Sequence, residues 1–157
     1  NWQRMMANST REFIRKWGTG VQHDALMKPI VSKKYNISFV VSGCNDAQVQ
    51  LLYHIEPWCD TLYCEDNARK KYIELEQNNT STDLSNKIKN ITSQPTENII
   101  VKFEAMQLST QERFNFLTQL SNILTDSGQV GHMNYDIFDI EIKSLETYEN
   151  ELINVKN

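Results

Sequence analysis

The chain has 157 residues, of which 39% are hydrophobic and 23% are charged, and its formal net charge is −4. This length suits one domain with a sizeable core, and no apolar run of about 18 residues is present, so the sequence predicts no membrane span. An acidic chain lacks the basic face that binds phosphates, and we therefore expect no nucleic-acid partner.

The opening residues predict a short helix. Ser9 and Glu12 have the spacing of a capping box, in which each side chain satisfies a free backbone N–H at the helix start. Phe13 and Trp17 follow on one face, and Gly18 supplies the left-handed residue that ends a helix. We expect both aromatic rings to be buried, because a helix this short is marginal by itself in water.

Charge divides the chain into two parts. Residues 1–34 hold seven Lys/Arg against two Asp/Glu, a net charge of +5, whereas residues 35–157 hold nine against eighteen, a net charge of −9. We therefore predict an N-terminal helix and connecting arm over residues 1–34, docked on a single acidic α/β domain over residues 35–157. The alternative is that the basic leader attracts an acidic partner.

Strand and helix patterns alternate through the first half of this domain. Residues 35–44 (YNISFVVSGC) form a β-branched run that predicts a strand, and residues 45–58 carry apolar side chains at helical spacing. Residues 60–64 (DTLYC) predict a second short strand, and a helix follows over residues 68–77. After a polar break, the apolar spacing of residues 84–91 predicts that this helix continues.

The second half continues the alternation. Residues 98–105 (NIIVKFEA) predict a third strand that is buried on both faces, because its apolar residues are consecutive. A helix follows from the capping residue Ser109 to Gly128. The fourth strand lies within residues 133–143, whose alternating apolar and charged side chains are typical of a half-exposed edge strand, and Ser144 starts a last helix.

This order of elements predicts an α/β fold. We expect a small, mainly parallel, four-stranded sheet with helices on both faces, a Rossmann-like arrangement that is preceded by the N-terminal helix. The alternative is a split α+β arrangement, because the alternation of the fourth strand suits an antiparallel edge.

Ligands of open α/β sheets bind beyond the carboxyl ends of the strands. These positions hold Gly43, Cys44 and Asn45 after the first strand, and Glu65 and Asp66 after the second. A helix start at Asn45 offers backbone N–H groups to an anion, and an acid after the second strand accepts hydrogen bonds from ribose hydroxyls. We therefore predict a ligand site formed by Gly43, Cys44, Asn45 and Asp66. The alternative is that Asn45 and Asp66 only cap helices, which the single glycine of this loop favours over a dinucleotide fingerprint.

The three cysteines, Cys44, Cys59 and Cys64, are odd in number and lack CxxC spacing. This argues against a disulfide framework and indicates a reducing compartment such as the cytoplasm. Cys44 lies at a strand-to-helix turn, where a lowered pKa makes a nucleophile, but a Cys-His site also needs a nearby histidine. The histidines are scattered along the chain, at His23, His54 and His132. No metal site, cofactor motif or catalytic motif is evident, so the residues alone leave open whether the chain is an enzyme.

The segment NSTREFIRKWG, residues 8–18, resembles the C-terminal tail of family 2 glycosyltransferases of the GT-A type. In many of these enzymes an Asn and a helix of the form xxFxxKWG follow the catalytic domain, and the matching residues are Asn8, Phe13, Lys16, Trp17 and Gly18. The resemblance implies an upstream domain that binds a sugar nucleotide and a divalent metal through an Asp-x-Asp motif. That motif lies outside the matching segment, so no catalytic residue of the family is assigned to this chain.

Two functional hypotheses follow. The first is a glycosyltransferase-associated α/β module that binds a sugar nucleotide or a glycan, with an upstream glycosyltransferase domain as its partner and no assigned catalytic role. The second is a non-enzymatic interaction or assembly domain of a larger multidomain protein or of a viral particle. The missing catalytic motifs favour the second hypothesis, and the tail resemblance favours the first.

Overall fold

A computed structural model describes Arg11, Ile14 and residues 33–120, 130–145 and 147–149. Its strands are β1 (Lys33–Tyr35), β2 (Ile37–Ser42), β3 (Thr61–Cys64), β4 (Ile88–Asn90), β5 (Ile99–Glu104), β6 (Gly131–Tyr135), β7 (Phe138–Ile142) and β8 (Thr147–Glu149). Its longer helices are α1 (Val49–Ile55), α2 (Asp66–Glu76), α3 (Leu84–Lys87) and α4 (Gln111–Thr118). The predicted leader residues Ser9, Phe13, Trp17 and Gly18, and the predicted helix end at Gly128, lie outside the described residues.

The main sheet has six strands in the order β4-β3-β2-β5-β7-β6. The four strands from β4 to β5 are parallel to one another, whereas β7 runs antiparallel to β5 and β6 runs antiparallel to β7. The strands β1 and β8 form a separate antiparallel pair. The α/β class and the mainly parallel sheet are therefore confirmed, but the prediction of four strands is wrong, since β4 and β6 bring the sheet to six strands.

The fourth predicted strand is β7, and its alternation is real. Phe138, Ile140 and Ile142 are buried, while Asp139 and Glu141 are partly exposed. The strand is nevertheless not at the edge, because β6 pairs along its outer side. The sequence of β6, GHMNY, has no alternation and all five of its residues are exposed, so no local hydrophobic pattern predicts it.

Two segments predicted as helices contain strands. The run 84–91 was expected to be helical throughout, but only Leu84–Lys87 forms a helix, and Ile88 begins β4 because it pairs with Leu62 of β3. A helix was also expected after Ser144, where Thr147–Glu149 forms β8 by pairing with β1. Both differences arise from strand pairing between segments that are far apart in sequence.

The buried core confirms the other predicted strands. Phe39 and Val41 of β2 are fully buried, and the consecutive residues Ile99, Ile100 and Val101 of β5 are buried on both faces of the sheet. Each such side chain contributes about 1.5–3 kcal/mol when it is withdrawn from water. None of the helices in the described ranges is long and apolar enough to cross a membrane.

Two glutamates are fully buried and are held by charged side chains. The carboxylate of Glu56 accepts a hydrogen bond from the Tyr72 hydroxyl at 2.8 Å and forms an ion pair with Lys87 Nζ at 2.6 Å. The carboxylate of Glu76 accepts from the Nε and Nη2 atoms of Arg11 at 2.5 and 2.8 Å. One basic residue of the leader therefore docks on α2.

Candidate functional site

The candidate site lies at the point where the order of the strands in the sheet reverses. From β2 the chain adds β3 and then β4 on one side, and it then crosses to place β5 on the other side of β2. Ligands of open α/β sheets bind in the crevice beyond the carboxyl ends of the strands at such a switch point. In this chain that position is bordered by the segments that follow β2, β3 and β5.

The loop after β2 is closed around a carboxylate. Glu65, directly after β3, accepts hydrogen bonds from the backbone N–H of Gly43 at 2.8 Å through Oε1 and from that of Cys44 at 3.0 Å through Oε2. Gly43 has a φ of +68°, a left-handed conformation that glycine adopts without a steric penalty. The amides of Gly43 and Cys44, two residues of the predicted ligand set, are therefore engaged by the protein's own acid.

The side chain of Asn45 caps the short 3-10 helix Asp46–Gln48. Its Oδ1 accepts from the backbone N–H of Ala47 at 2.9 Å, and the backbone N–H of Asn45 donates to Gln48 Oε1 at 3.0 Å. This is the capping role that the sequence offered as the alternative to ligand binding. The Asn45 side chain is exposed and remains accessible from solvent.

The side chain of Asp66 pairs with cations of its own helix. It forms ion pairs with Arg69 at 3.7 Å and with Lys70 at 3.0 Å, one turn along α2. The helix N-cap position is occupied by Glu65, whose side chain makes no capping hydrogen bond and bonds the β2 loop instead. The structure therefore brings Gly43, Cys44 and Glu65 together, and Glu65 rather than Asp66 is the acid that joins the ends of two strands.

The segments that follow β2 and β5 also contact each other at this edge of the sheet. The side-chain amide of Gln48 contacts the sulfur of Met106, which belongs to the short helix that follows β5. Met106 is 72% exposed, so an apolar side chain is accessible to solvent at this edge of the sheet.

The thiols at this edge are poor nucleophiles. Cys44 and Cys64 are fully buried, and burial together with the nearby charge of Glu65 raises the pKa of Cys44 to about 11. Burial likewise raises the pKa of Cys64 to about 12. At neutral pH both thiols are protonated, which disfavours nucleophilic catalysis by Cys44.

The histidines make other contacts. The ring of His54 meets the ring of Phe114 edge to face, and His132 of β6 pairs with Asp139 of β7, three strands from β2. His23 lies outside the described residues. Within the described ranges, no group of three or more His, Cys, Asp or Glu side chains is arranged to hold a metal ion.

Stability should fall as the pH rises above about 9. The Cys64 thiol has an ordinary pKa of 9.0 and a pKa of about 12 in the folded chain. Between these values the folded chain retains a proton that the unfolded chain loses, so this stabilisation is complete below pH 9 and is lost as the pH rises through 12. The slope is at most about 1.4 kcal/mol per pH unit for one thiol.

Denaturant unfolding at increasing pH measures this slope. The variant Cys64→Ala lacks the thiol, and its stability should decline less steeply with pH than that of the wild type. Parallel declines in the two proteins would contradict the assignment of this pH dependence to Cys64.

The sequence places Glu65 as an acid directly after the second strand, but the predicted ligand set contains its neighbour Asp66 and lacks Glu65. The only local signal for Glu65 is its position directly after the last residue of β3.

Comparisons of the chain with protein families, with curated proteins and with solved structures found no match.

Proposed function

We propose that this chain is a ribonucleoside-binding α/β module, with its ligand at the carboxyl edge of β2, β3 and β5. The observation that carries the proposal is the Glu65 carboxylate, which stands after the second parallel strand and bonds the amides after the first. When the four parallel strands are numbered by their order along the chain, they lie side by side in the sheet as 3-2-1-4. This is the strand order of Rossmann-like sheets that bind nucleotides. In such sheets an acid about 20 residues beyond the first loop accepts hydrogen bonds from the ribose.

The Glu65 carboxylate has capacity for a ribose. An ionised carboxylate offers about four acceptor positions, and the amides of Gly43 and Cys44 use two of them. The remaining positions suit two neighbouring hydroxyl donors, such as the ribose diol. Met106, exposed in the short helix that follows β5, offers an apolar surface for the base.

Charge selects among ribose-bearing ligands. A dinucleotide or a sugar nucleotide needs backbone donors and close approach for its diphosphate, whereas here the donors are engaged by Glu65 and the loop SGCNDA has a single glycine. A carboxylate at this point repels a diphosphate and attracts a neutral or cationic group. The ligand class favoured by the charge is therefore a nucleoside without a diphosphate, such as adenosine or the sulfonium nucleoside S-adenosylmethionine.

The association with a glycosyltransferase remains a separate proposal that rests on residues 8–18. It favours a sugar nucleotide, so UDP-glucose is the probe that distinguishes it from the nucleoside proposal. Tight binding of UDP-glucose with no binding of adenosine would support the glycosyltransferase association and contradict the ligand class proposed from charge.

Calorimetric titration of the full chain with adenosine and S-adenosylmethionine tests the nucleoside proposal. We expect Glu65→Gln to weaken binding about tenfold to a hundredfold, because a hydrogen bond to a charged group contributes about 1.5–3 kcal/mol. The matched control is Asp66→Asn, the neighbouring acid, which should change the dissociation constant by less than about threefold. The analogue 2′,3′-dideoxyadenosine, which lacks the two hydroxyls of the ribose diol, should bind as weakly to the wild type as adenosine binds to Glu65→Gln. Equal binding of adenosine and dideoxyadenosine would contradict the role of Glu65.

The alternative function is an interaction or assembly module, and one observation favours it. Among the described strands β6 pairs only with β7, its residues are all exposed, and it carries no Lys, Arg, Asp or Glu. An uncharged edge strand is a surface on which another strand can pair. Failure of every ribose-bearing probe to bind, together with a molecular mass that rises with protein concentration, would support this alternative.

A further inference from the structure

A second cleft lies at the same edge of the sheet, between α4 and the β6–β7 turn. Because β7 runs antiparallel to β5 and Asp139 stands opposite Lys102, the turn lies beyond the carboxyl end of β5. The cleft has a volume of about 450 Å³, which is within the usual range for small-molecule sites. None of its lining residues belongs to the crevice beside Glu65.

One wall of the cleft is an ordered aromatic stack. Tyr135 and Phe138 are direct partners across the β6–β7 hairpin, and the ring of Phe116 lies over both of them. The ring centroids are 4.9 Å apart for Phe116 and Tyr135, and 4.7 Å apart for Phe116 and Phe138. Phe138 is buried, whereas Tyr135 is 56% exposed, so the stack presents the Tyr135 ring to the cleft in a fixed orientation.

The other wall is polar and is also held in place. Arg113 donates to both carboxylate oxygens of Asp136, at 2.8 and 3.3 Å, and to the carbonyl of Gln107 at 2.7 Å. These hydrogen bonds hold the pKa of Asp136 below its ordinary value, so this carboxylate stays ionised. Thr110 and Glu112 complete this wall, and with Asp136 they provide two carboxylates and one hydroxyl.

This combination selects for an uncharged ligand with several donors. The charge of Arg113 is balanced by Asp136, and Glu112 adds a further negative charge, so an anion such as phosphate is disfavoured. Carboxylates accept hydrogen bonds from hydroxyl groups, and an exposed aromatic ring packs against the apolar C–H face of a sugar ring. We propose that this cleft binds a neutral saccharide ring, which stacks on Tyr135 and donates hydroxyl hydrogen bonds to Glu112 and Asp136.

Titration of the isotope-labelled full chain, followed by NMR, tests the proposal. The probes are N-acetylglucosamine and the methyl glycosides of glucose and galactose. We expect at least one of them to cause saturable shifts of the backbone amides of Arg113, Tyr135 and Asp136. The variant Tyr135→Ala should weaken that binding about tenfold, since stacking on one ring contributes on the order of a tenfold change in affinity.

The matched control is Met133→Ala, another exposed side chain on β6 that does not line the cleft. It should leave the dissociation constant unchanged, and both variants should keep the wild-type amide spectrum away from the substitution. Absence of saturable shifts with every saccharide would overturn the proposal, as would tighter binding of guanosine in the same cleft. The variant Glu65→Gln should leave saccharide binding intact, so this proposal and that of the ribonucleoside site succeed or fail separately.

Discussion

Replacing Arg11 with alanine should lower the free energy of unfolding by about 3–5 kcal/mol, the loss that follows when one partner of a buried ion pair is removed. Arg11 donates two hydrogen bonds to Glu76, whose side chain is fully buried on α2. Its guanidinium carbon also lies 4.6 Å from the centre of the Tyr53 ring. At this distance a cation–π interaction adds to the stability of the docked Arg11 side chain. Without Arg11 the Glu76 carboxylate loses its bidentate cation while it stays withdrawn from water.

Chemical denaturation monitored by circular dichroism measures this change. The matched control is Lys70→Ala, which removes an exposed ion pair with Asp66 and should cost less than about 1 kcal/mol. Adding Glu76→Gln to the Arg11→Ala variant should recover much of the loss, because the uncompensated charge is then removed. An Arg11→Ala variant as stable as the Lys70→Ala control would contradict the docking of the leader on α2.

Replacing Lys87 with methionine should have an effect of similar size, about 3–5 kcal/mol. Methionine keeps most of the length of the lysine side chain, so the main loss is the ammonium that pairs with Glu56 at 2.6 Å. The Tyr72 hydroxyl still donates to Glu56 at 2.8 Å, but a neutral donor does not balance a buried charge. For a chain of this size, such a loss lowers the thermal midpoint by roughly 6–20 °C.

Differential scanning calorimetry of Lys87→Met and of the control Lys89→Met separates this effect from a general loss of lysine. Lys89 lies two residues further on, in β4, and its side chain is exposed. Its replacement should shift the midpoint by no more than a degree or two, which is the usual effect at a surface position. Equal midpoints for the two variants would contradict the role of Lys87 as the counter-ion of Glu56.

The parallel strands β2, β3 and β5 were predictable because each has a local hydrophobic signal. The β-branched run of β2 and the consecutive Ile99, Ile100 and Val101 of β5 bury apolar side chains in almost any parallel sheet. The strands β4, β6 and β8 were not predictable from local patterns. They are three to five residues long, and each is defined by a partner strand rather than by its own periodicity.

The candidate site was predictable in part for the same reason. A loop with glycine after the first strand and an acid after the second are visible in the sequence as Gly43, Glu65 and Asp66. Only the tertiary structure decides which of the two acids, Glu65 or Asp66, contacts the loop after β2. Glu65 reaches the amides after β2, while Asp66 pairs with the cations one turn along its own helix. Both residues are acidic and adjacent, so no pattern of residue types distinguishes them.

The sequence by itself determined the α/β class, the three principal parallel strands and the edge of the sheet where the acid lies, because periodicity and turn residues act over a few neighbouring positions. Only the tertiary structure decided the antiparallel hairpin, the cleft beside Tyr135 and the partners of the buried glutamates. Arg11 and Glu76 are 65 residues apart, and Glu56 and Lys87 are 31 apart. A buried charge requires a counter-ion, but the fold selects which one reaches it, since only folding brings distant side chains within hydrogen-bond distance.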